Sequence, residues 1–241
     1  MYAMRIAILT TGTRGDVQPF VALGAALRGR GHDVTMTAPK DLVSFVAAGD
    51  MAAVPLPFSA KEVLASELGQ RFVTNGSIIA FLRAIMQLDA LHRPALVDAF
   101  ACAGEGAELV VAHPLTVGPA LAVARARGAP LVRCYLGPTA TTRALPSPVV
   151  DVGDLGPLNR LTHAVMLAAA GRGGAATTRA LSRRLGVDPP RGNVFARAEE
   201  ARSLALHLYS PVLQPRPDDW PVHHVLTGML TLDAATRGRL G

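Results

Sequence analysis

The chain contains little cysteine, lysine or aromatic residue, and each shortage narrows the classes of protein to which it can belong. Its only cysteines, Cys102 and Cys134, lie in apolar surroundings without a CxxC pair, which predicts buried thiols in a reducing compartment. The net charge of +6 comes from scattered arginines, since Lys40 and Lys61 are the only lysines, and 5% of the residues are aromatic. Nucleic-acid binding needs a concentrated basic face with stacking aromatics, so we expect no nucleic-acid partner.

The sequence also lacks a secretory signal pattern and a long apolar run. Its start shows no basic region followed by an apolar core, and apolar stretches such as 164–170 fall well short of the roughly 18 residues that a membrane-spanning helix requires. We therefore expect a cytoplasmic protein whose membrane contact, if any, is peripheral; the pattern does not set an oligomeric state. Half of the 241 residues are hydrophobic, which is enough for a globular core.

Short apolar runs alternate with helical periodicity and predict an α/β fold, Rossmann-like and doubly wound, with a mainly parallel sheet. The predicted strands are 5–10, 33–38, 51–54, 108–112, 130–135, 203–208 and 222–226. Helical patterns occupy 19–30, 41–48, 77–103, 116–128 and 158–185, with Ser77 as a cap and Ile78, Phe81, Leu82, Ile85, Leu88 and Leu91 on one side of the third. The segment 55–76 reads as a long connection, and 137–157 as an irregular loop of the kind that carries function.

The turn 11–19 follows the first strand, where open parallel sheets bind ligands. A dinucleotide site would need GxGxxG and an acidic residue after the second strand, but Gly12 and Gly15 are separated by two residues and the second strand ends in Thr37-Ala38-Pro39. A phosphate loop of the GxxxxGK[ST] type is also absent from the sequence. We therefore expect no nicotinamide or flavin cofactor, and no histidine has the sequence spacing of a metal ligand.

Asp16, flanked in this turn by Thr13 and Arg14, has three interpretations. It caps the following helix, or it is a general base that takes a proton from a hydroxyl nucleophile, or it orients such a base. The positive end of a helix favours the carboxylate and lowers its basicity, so a base would need burial or a hydroxyl that loses its proton late.

Other candidates follow later strands. His113 ends the fourth predicted strand beside Pro114 and points toward the same cleft, where it either contacts a substrate, assists proton transfer or is structural. Thr139 and Thr142 belong to the irregular loop and either line a pocket or are solvated turn residues. The segment 173–178 superficially matches a donor-phosphate motif of the His-Gly-Gly-x-Gly-Thr type, but we interpret this as a chance match.

Several segments together resemble the opening half of the GT-B glycosyltransferases that include the glycopeptide-antibiotic and sterol glucosyltransferases. The most specific is Gly12-Thr13-Arg14-Gly15-Asp16-Val17-Gln18-Pro19. The others follow in the family's order: Ala22-Leu23-Gly24, Arg30-Gly31-His32-Asp33-Val34, Val110-Val111-Ala112-His113-Pro114, Leu185-Gly186-Val187-Asp188-Pro189-Pro190 and Trp220-Pro221-Val222-His223-His224-Val225-Leu226-Thr227-Gly228. The resemblance spans nearly the whole chain.

The resemblance implies an N-terminal domain that binds the acceptor, opposite a second domain that binds a nucleotide-activated sugar. It makes Asp16 the candidate base of an inverting, metal-independent displacement. Gly12, Thr13, Arg14, Gly15, His113, Pro114, Thr139 and Thr142 are the candidate substrate-binding residues. Many plant relatives use a histidine in the first turn instead, and this sequence has none there.

From the resemblance we expect an acceptor-binding domain over 1–210 and an interdomain linker and tail over 211–241, with the donor-binding domain absent from the chain. The nucleotide sugar would be a co-substrate and the isolated chain inactive. Because the segments expected to line the cleft are apolar with few charges, we expect the acceptor to be a hydrophobic small molecule, natural product, sterol or lipid. The alternative is a non-catalytic domain of the same fold that binds a hydrophobic ligand or has a regulatory role.

Overall fold

A computed structural model describes residues 2–76, 78–150 and 152–239. Its seven strands are β1 (Arg5–Leu9), β2 (Asp33–Pro39), β3 (Ala52–Leu56), β4 (Leu109–Ala112), β5 (Leu131–Tyr135), β6 (Leu204–His207) and β7 (His224–Leu226). They form one parallel sheet in the order β3-β2-β1-β4-β5-β6-β7. This confirms the predicted Rossmann-like α/β class.

Ten α-helices connect and cover these strands in the described part of the chain. They are α1 (Arg14–Arg28), α2 (Val43–Ala47), α3 (Ala60–Ala65), α4 (Glu67–Asn75), α5 (Ile78–Ala103), α6 (Val117–Arg127), α7 (Asn159–Gly173), α8 (Ala175–Arg184), α9 (Val194–Glu200) and α10 (Ala234–Gly238). Short 3-10 turns lie at Lys40–Leu42, Pro114–Thr116 and Gly156–Leu158. None of the described helices combines the length and hydropathy needed to span a bilayer.

The core lies on both faces of the sheet, because side chains alternate along each strand. In β1, Ala7 and Leu9 pack against α5 and α6 residues such as Phe100, whereas Ile6 and Ile8 pack on the other face with α1 and α2 residues such as Phe20. The side chains of these four residues of β1 are at most 2% exposed. A parallel sheet covered by helices on both sides explains why the strands read as nearly continuous apolar runs.

The segment 55–76 is not the long connection predicted from sequence. The strand β3 runs to Leu56, and α3 and then α4 follow after the three-residue bend 57–59; Ser59 caps α3 by accepting a hydrogen bond from Glu62 N at 3.3 Å. The sequence pattern did not reveal these two short helices, because the segment contains prolines at positions 55 and 57 and small polar residues. Tertiary packing stabilises the helices.

Other predicted features needed smaller corrections. The helix α1 begins at Arg14, so Pro19 lies inside it, and the 158–185 pattern divides into α7 and α8 at Gly174. The helix α9 was not predicted. Cys134 is buried as expected, but Cys102 is exposed. The predicted long helix is confirmed as α5. Leu91, on its predicted apolar side, is nevertheless 74% exposed. The proposed cap, Ser77, lies outside the described residues.

Candidate functional site

The order of the strands reverses between β1 and β4, which is the switch point where sheets of this kind bind ligands. These two neighbours are parallel and pair Leu9 with Ala112, so the residues that follow both strands meet at the same edge. The backbone N–H of His113 donates to the carbonyl of Leu9 at 3.0 Å, so the segment that follows β4 is held against the end of β1. The turn after β1 and His113 are therefore neighbours, as the sequence predicted.

Gly12 lets the turn fold tightly against Asp16. Its φ of +98° is in the region that favours glycine, and a Cβ at this position would lie 2.4 Å from Asp16 Oδ2. Asp16 sits in the first turn of α1, where Oδ2 accepts hydrogen bonds from Thr13 N at 2.7 Å and from Thr13 Oγ1 at 3.0 Å. Thr13 is thus the N-cap, and Asp16 is the third helical residue of a capping box whose hydrogen bonds hold the carboxylate in one orientation.

His113 lies behind Asp16. Its Nδ1 accepts a hydrogen bond from Leu115 N at 3.2 Å, which leaves the proton of a neutral ring on Nε2, 3.4 Å from Asp16 Oδ1. The edge of Phe20 packs against the imidazole with ring centroids 5.7 Å apart. The side chain of His113 is 3% exposed and that of Asp16 is 34% exposed, so the carboxylate is the member of the pair that faces outward.

The pKa of Asp16 is lowered below its ordinary value. Burial acts in the opposite direction and raises it, but the hydrogen bond from His113 and the hydrogen bonds from Thr13 outweigh burial. The carboxyl group is therefore ionised at neutral pH and able to accept a proton.

Asp16 opens onto an apolar cavity of about 430 Å³, a size typical of small-molecule sites. The polar residues of its wall include Thr11, Thr13 and Asp16 at the strand ends. Most of the wall comes from the helices, with Phe58, Ala60, Val63, Leu64, Leu68, Phe81, Ala84, Ile85, Leu88, Leu96, Phe100, Leu115 and Pro119 contributing apolar surface. The arrangement suits an apolar molecule that brings one polar group to a carboxylate.

The candidate substrate-binding residues divide between this cavity and other places. Gly12 and Thr13 belong to its lining, whereas Arg14, Gly15, His113, Pro114, Thr139 and Thr142 are not among the described residues that form it. Arg14 is exposed and stacks over Phe45 at 5.1 Å.

The irregular loop 137–157 is held by its own polar contacts. Thr142 is buried; its hydroxyl donates to Asp219 Oδ1 at 2.6 Å and ties the loop to the segment before β7. The carbonyl of Thr139 lies 3.3 Å from His163 Nδ1. The loop is thus held by the hydroxyl of Thr142 and the backbone carbonyl of Thr139.

Sequence reasoning missed the part of the cavity formed by α3, α4, α5 and the junction between α7 and α8. Gly173, Gly174 and Thr177, from the segment interpreted as a chance motif match, lie in the wall together with Asp89. The helical spacing of apolar residues in α5 did indicate one wall of the cavity, since Phe81, Ile85 and Leu88 line it.

A second polar cluster, far from this cavity in sequence, surrounds Glu199. Its carboxylate is bound by Arg133 Nη2 at 2.9 Å, His223 Nε2 at 2.8 Å and His224 Nε2 at 3.0 Å, and His207 Nε2 lies 3.1 Å from His224 Nδ1. Burial raises the pKa of Glu199, but the hydrogen bond from His224 and the charge of Arg133 hold it well below its ordinary value.

Glu199, His223 and His224 offer ligand atoms within 4.8 Å of one another and could hold a metal ion, a grouping that sequence spacing did not predict. The three come together only because the end of α9 packs beside the start of β7. Arg133, which is 1% exposed, already supplies the positive charge that this carboxylate requires. The cluster is therefore complete as one Arg133–Glu199 ion pair with hydrogen bonds from the two histidines.

Comparison with known proteins shows which proteins this chain is similar to. Residues 6–123 match the glycosyltransferase family 28 N-terminal domain. The chain is 32% identical over 240 residues to O-mycaminosyltylonolide 6-deoxyallosyltransferase of Streptomyces fradiae, covering 93% of this chain and 54% of that protein. It is 28% identical over 234 residues to a sterol 3-beta-glucosyltransferase of Debaryomyces hansenii, covering 96% of this chain and 14% of that protein.

Solved structures agree on the fold. The crystal structure of the kitacinnamycin glycotransferase matches with a TM-score of 0.57 at 19% identity, over 95% of this chain and 52% of that one. The chain thus spans about half the length of the deoxyallosyltransferase and of the kitacinnamycin enzyme, and 14% of the sterol enzyme.

Proposed function

Since this chain carries a glycosyltransferase family 28 N-terminal domain and is homologous to natural-product and sterol glycosyltransferases, we propose that it is the acceptor-binding half of an inverting glycosyltransferase. The enzyme would transfer a hexose from a nucleotide-activated sugar to a hydroxyl group of a hydrophobic small molecule or lipid. The observation that carries the proposal is the carboxylate of Asp16, fixed at the wall of an apolar cavity at the switch point of the sheet.

The cavity favours an apolar acceptor because its wall is mostly aliphatic and aromatic. Transfer of such a molecule out of water contributes about 25 cal/mol for each Å² of apolar surface buried. The few polar groups at the strand ends would then select the orientation in which a hydroxyl group reaches Asp16.

In the proposed reaction the acceptor hydroxyl donates a hydrogen bond to Asp16. As its oxygen bonds to the anomeric carbon, the bond from that carbon to the nucleoside diphosphate breaks and the hydroxyl proton passes to the carboxylate. The lowered pKa of Asp16 makes it a weak base, which is sufficient if the proton moves late, when the attacking oxygen has become acidic. His113 is a positioning residue: its Nε2–H orients the carboxylate and stabilises its charge before transfer.

The donor would be a co-substrate bound mainly by a second domain, and the reaction as proposed requires no metal or redox cofactor. The proposal predicts that the 241-residue chain alone binds acceptors and transfers no sugar, whereas the chain joined to a nucleotide-sugar-binding domain transfers it.

Mass-spectrometric transfer assays test this with dTDP-glucose and UDP-glucose as donors and a panel of sterols and macrolide aglycones as acceptors. The expected product is a monoglycoside formed by the two-domain protein. Acceptor binding without transfer by any two-domain form would instead favour the alternative, a hydrophobic-ligand-binding domain. Turnover by the 241-residue chain alone would overturn the assignment of the donor site to another domain.

A further inference from the structure

Polar residues occur at two places in the wall of the acceptor cavity. One is the edge where β1 and β4 end, with Asp16 and Thr116, and the other is the contact between α5 and α8, where Asp89 and Thr177 interrupt an apolar surface. We propose that Asp89 and Thr177 form a second polar contact that binds a hydroxyl group of the acceptor distinct from the one that reacts. This inference rests on the proposed function and narrows its substrate class to apolar molecules with at least two hydroxyl groups.

Asp89 is a carboxylate held almost out of solvent, with 7% exposure. Oδ2 accepts two hydrogen bonds from Arg93, at 3.2 Å from Nε and 2.9 Å from Nη2, and Oδ1 accepts one from Thr177 N at 3.2 Å. A carboxylate has about four acceptor positions, so among the contacts of the described residues Oδ1 retains room for one more donor.

Thr177 supplies the complementary group. The residue is 2% exposed, and its hydroxyl oxygen has no hydrogen-bond partner among the described residues. A buried hydroxyl without a partner costs about 1–3 kcal/mol, and a ligand that provides the partner removes this cost. The neighbouring Thr178 contrasts with it, because the hydroxyl of Thr178 donates to the carbonyl of Gly174 at 2.8 Å.

The pair fits a hydroxyl group better than a group that only donates or only accepts. A ligand O–H can donate to Asp89 Oδ1 while its oxygen accepts from the hydroxyl of Thr177. The contacts of Asp89 with Arg93 and with the first turn of α8 explain its place in the fold. They do not explain the unpaired hydroxyl beside it in the wall of a ligand cavity.

Isothermal titration calorimetry on the 241-residue chain tests the inference with matched probes. The first pair is androstanol and androstanediol, and the second is the diterpene mono-ol manool and the diterpene diol sclareol. In at least one pair the wild-type chain should bind the diol about 3- to 10-fold more tightly, the gain expected for one hydrogen-bonded group.

Thr177→Val keeps the shape of the side chain and removes the hydroxyl, so it should abolish the preference for the diol over the mono-ol. Asp89→Asn should reduce the same preference. Thr178→Val is the matched control on the same helix, outside the described cavity wall, and should retain the preference.

The outcomes separate the two claims. If the chain binds the probes but shows no preference for a diol, or if Thr177→Val retains it, the second contact is refuted and the acceptor cavity stands. An equal loss in Thr178→Val also refutes it, because the effect would then come from α8 as a whole. If no probe of either pair binds, the proposed function fails as well.

Discussion

Replacing Gly12 by alanine should lower the free energy of unfolding by about 2–4 kcal/mol, and this loss of stability has two causes. The first is the left-handed backbone, with φ of +98°, which costs an alanine about 1–2 kcal/mol. The second is displacement of Asp16, because the new Cβ would lie 2.4 Å from Oδ2 and the carboxylate would lose its hydrogen bond to Thr13 N. We assign about 1–2 kcal/mol to that loss, since the Asp16 side chain is 34% exposed.

Gly31→Ala provides the matched control. Gly31 also has a positive φ, +86°, but a Cβ there would meet nothing within 4 Å, so only the backbone cost of about 1–2 kcal/mol applies. Urea denaturation of the two variants measures both free energies of unfolding. Equal destabilisation by the two substitutions would refute the claim that Gly12 is required for the approach of Asp16.

Three further predictions concern ionisable groups. His113→Gln should raise the pKa of Asp16, because it weakens a hydrogen bond that lowers this pKa. The acid limb of the pH profile of kcat/KM, measured on the two-domain protein, should therefore move to higher pH. An acid limb that does not shift contradicts the positioning role of His113. Burial, with the charges of His224 and Arg133, lowers the pKa of His207 from 6.5 to about 3, so the unfolded chain binds more protons between these values. The free energy of unfolding should therefore decrease as the pH is lowered from about 6.5 to about 3, by up to about 1.4 kcal/mol per pH unit, and His207→Phe should make this decrease shallower in pH-dependent melting. Arg133→Met should lower the free energy of unfolding by about 1–3 kcal/mol in urea denaturation, because the Glu199 carboxylate loses its arginine partner but is 41% exposed and keeps His223 and His224; a loss below about 0.5 kcal/mol would show that the ion pair is dispensable.

The sheet could be predicted because its signals are local. The apolar strands, the helix-start signals near Asp16 and the glycines of the first turn each depend on a few consecutive residues, and the structure repeats them with shifts of a few positions. The proximity of His113 to that turn also followed, since parallel strands end at one edge.

The cavity could not be predicted in the same way, since it exists only after helices distant in sequence pack together. Asp89 and Thr177 are 88 positions apart, and neither belongs to a recognisable motif. The short helices α3 and α4 depend on tertiary packing more than on propensity, so 55–76 read as loop. The position of His113 behind Asp16 depends on the N–H of Leu115, a contact that residue types do not reveal.

The most direct test of the account is the rate of glycosyl transfer by the two-domain protein after Asp16→Asn. Asp41→Asn is the control: Asp41 also accepts backbone hydrogen bonds, from Ala60 N at 2.8 Å and Lys61 N at 3.2 Å, but it is not among the described residues that line the cavity. If Asp16 is the base, its replacement should lower kcat by about 10²- to 10⁴-fold while the control stays near wild type. A kcat for Asp16→Asn that remains within about three-fold of wild type would contradict the account.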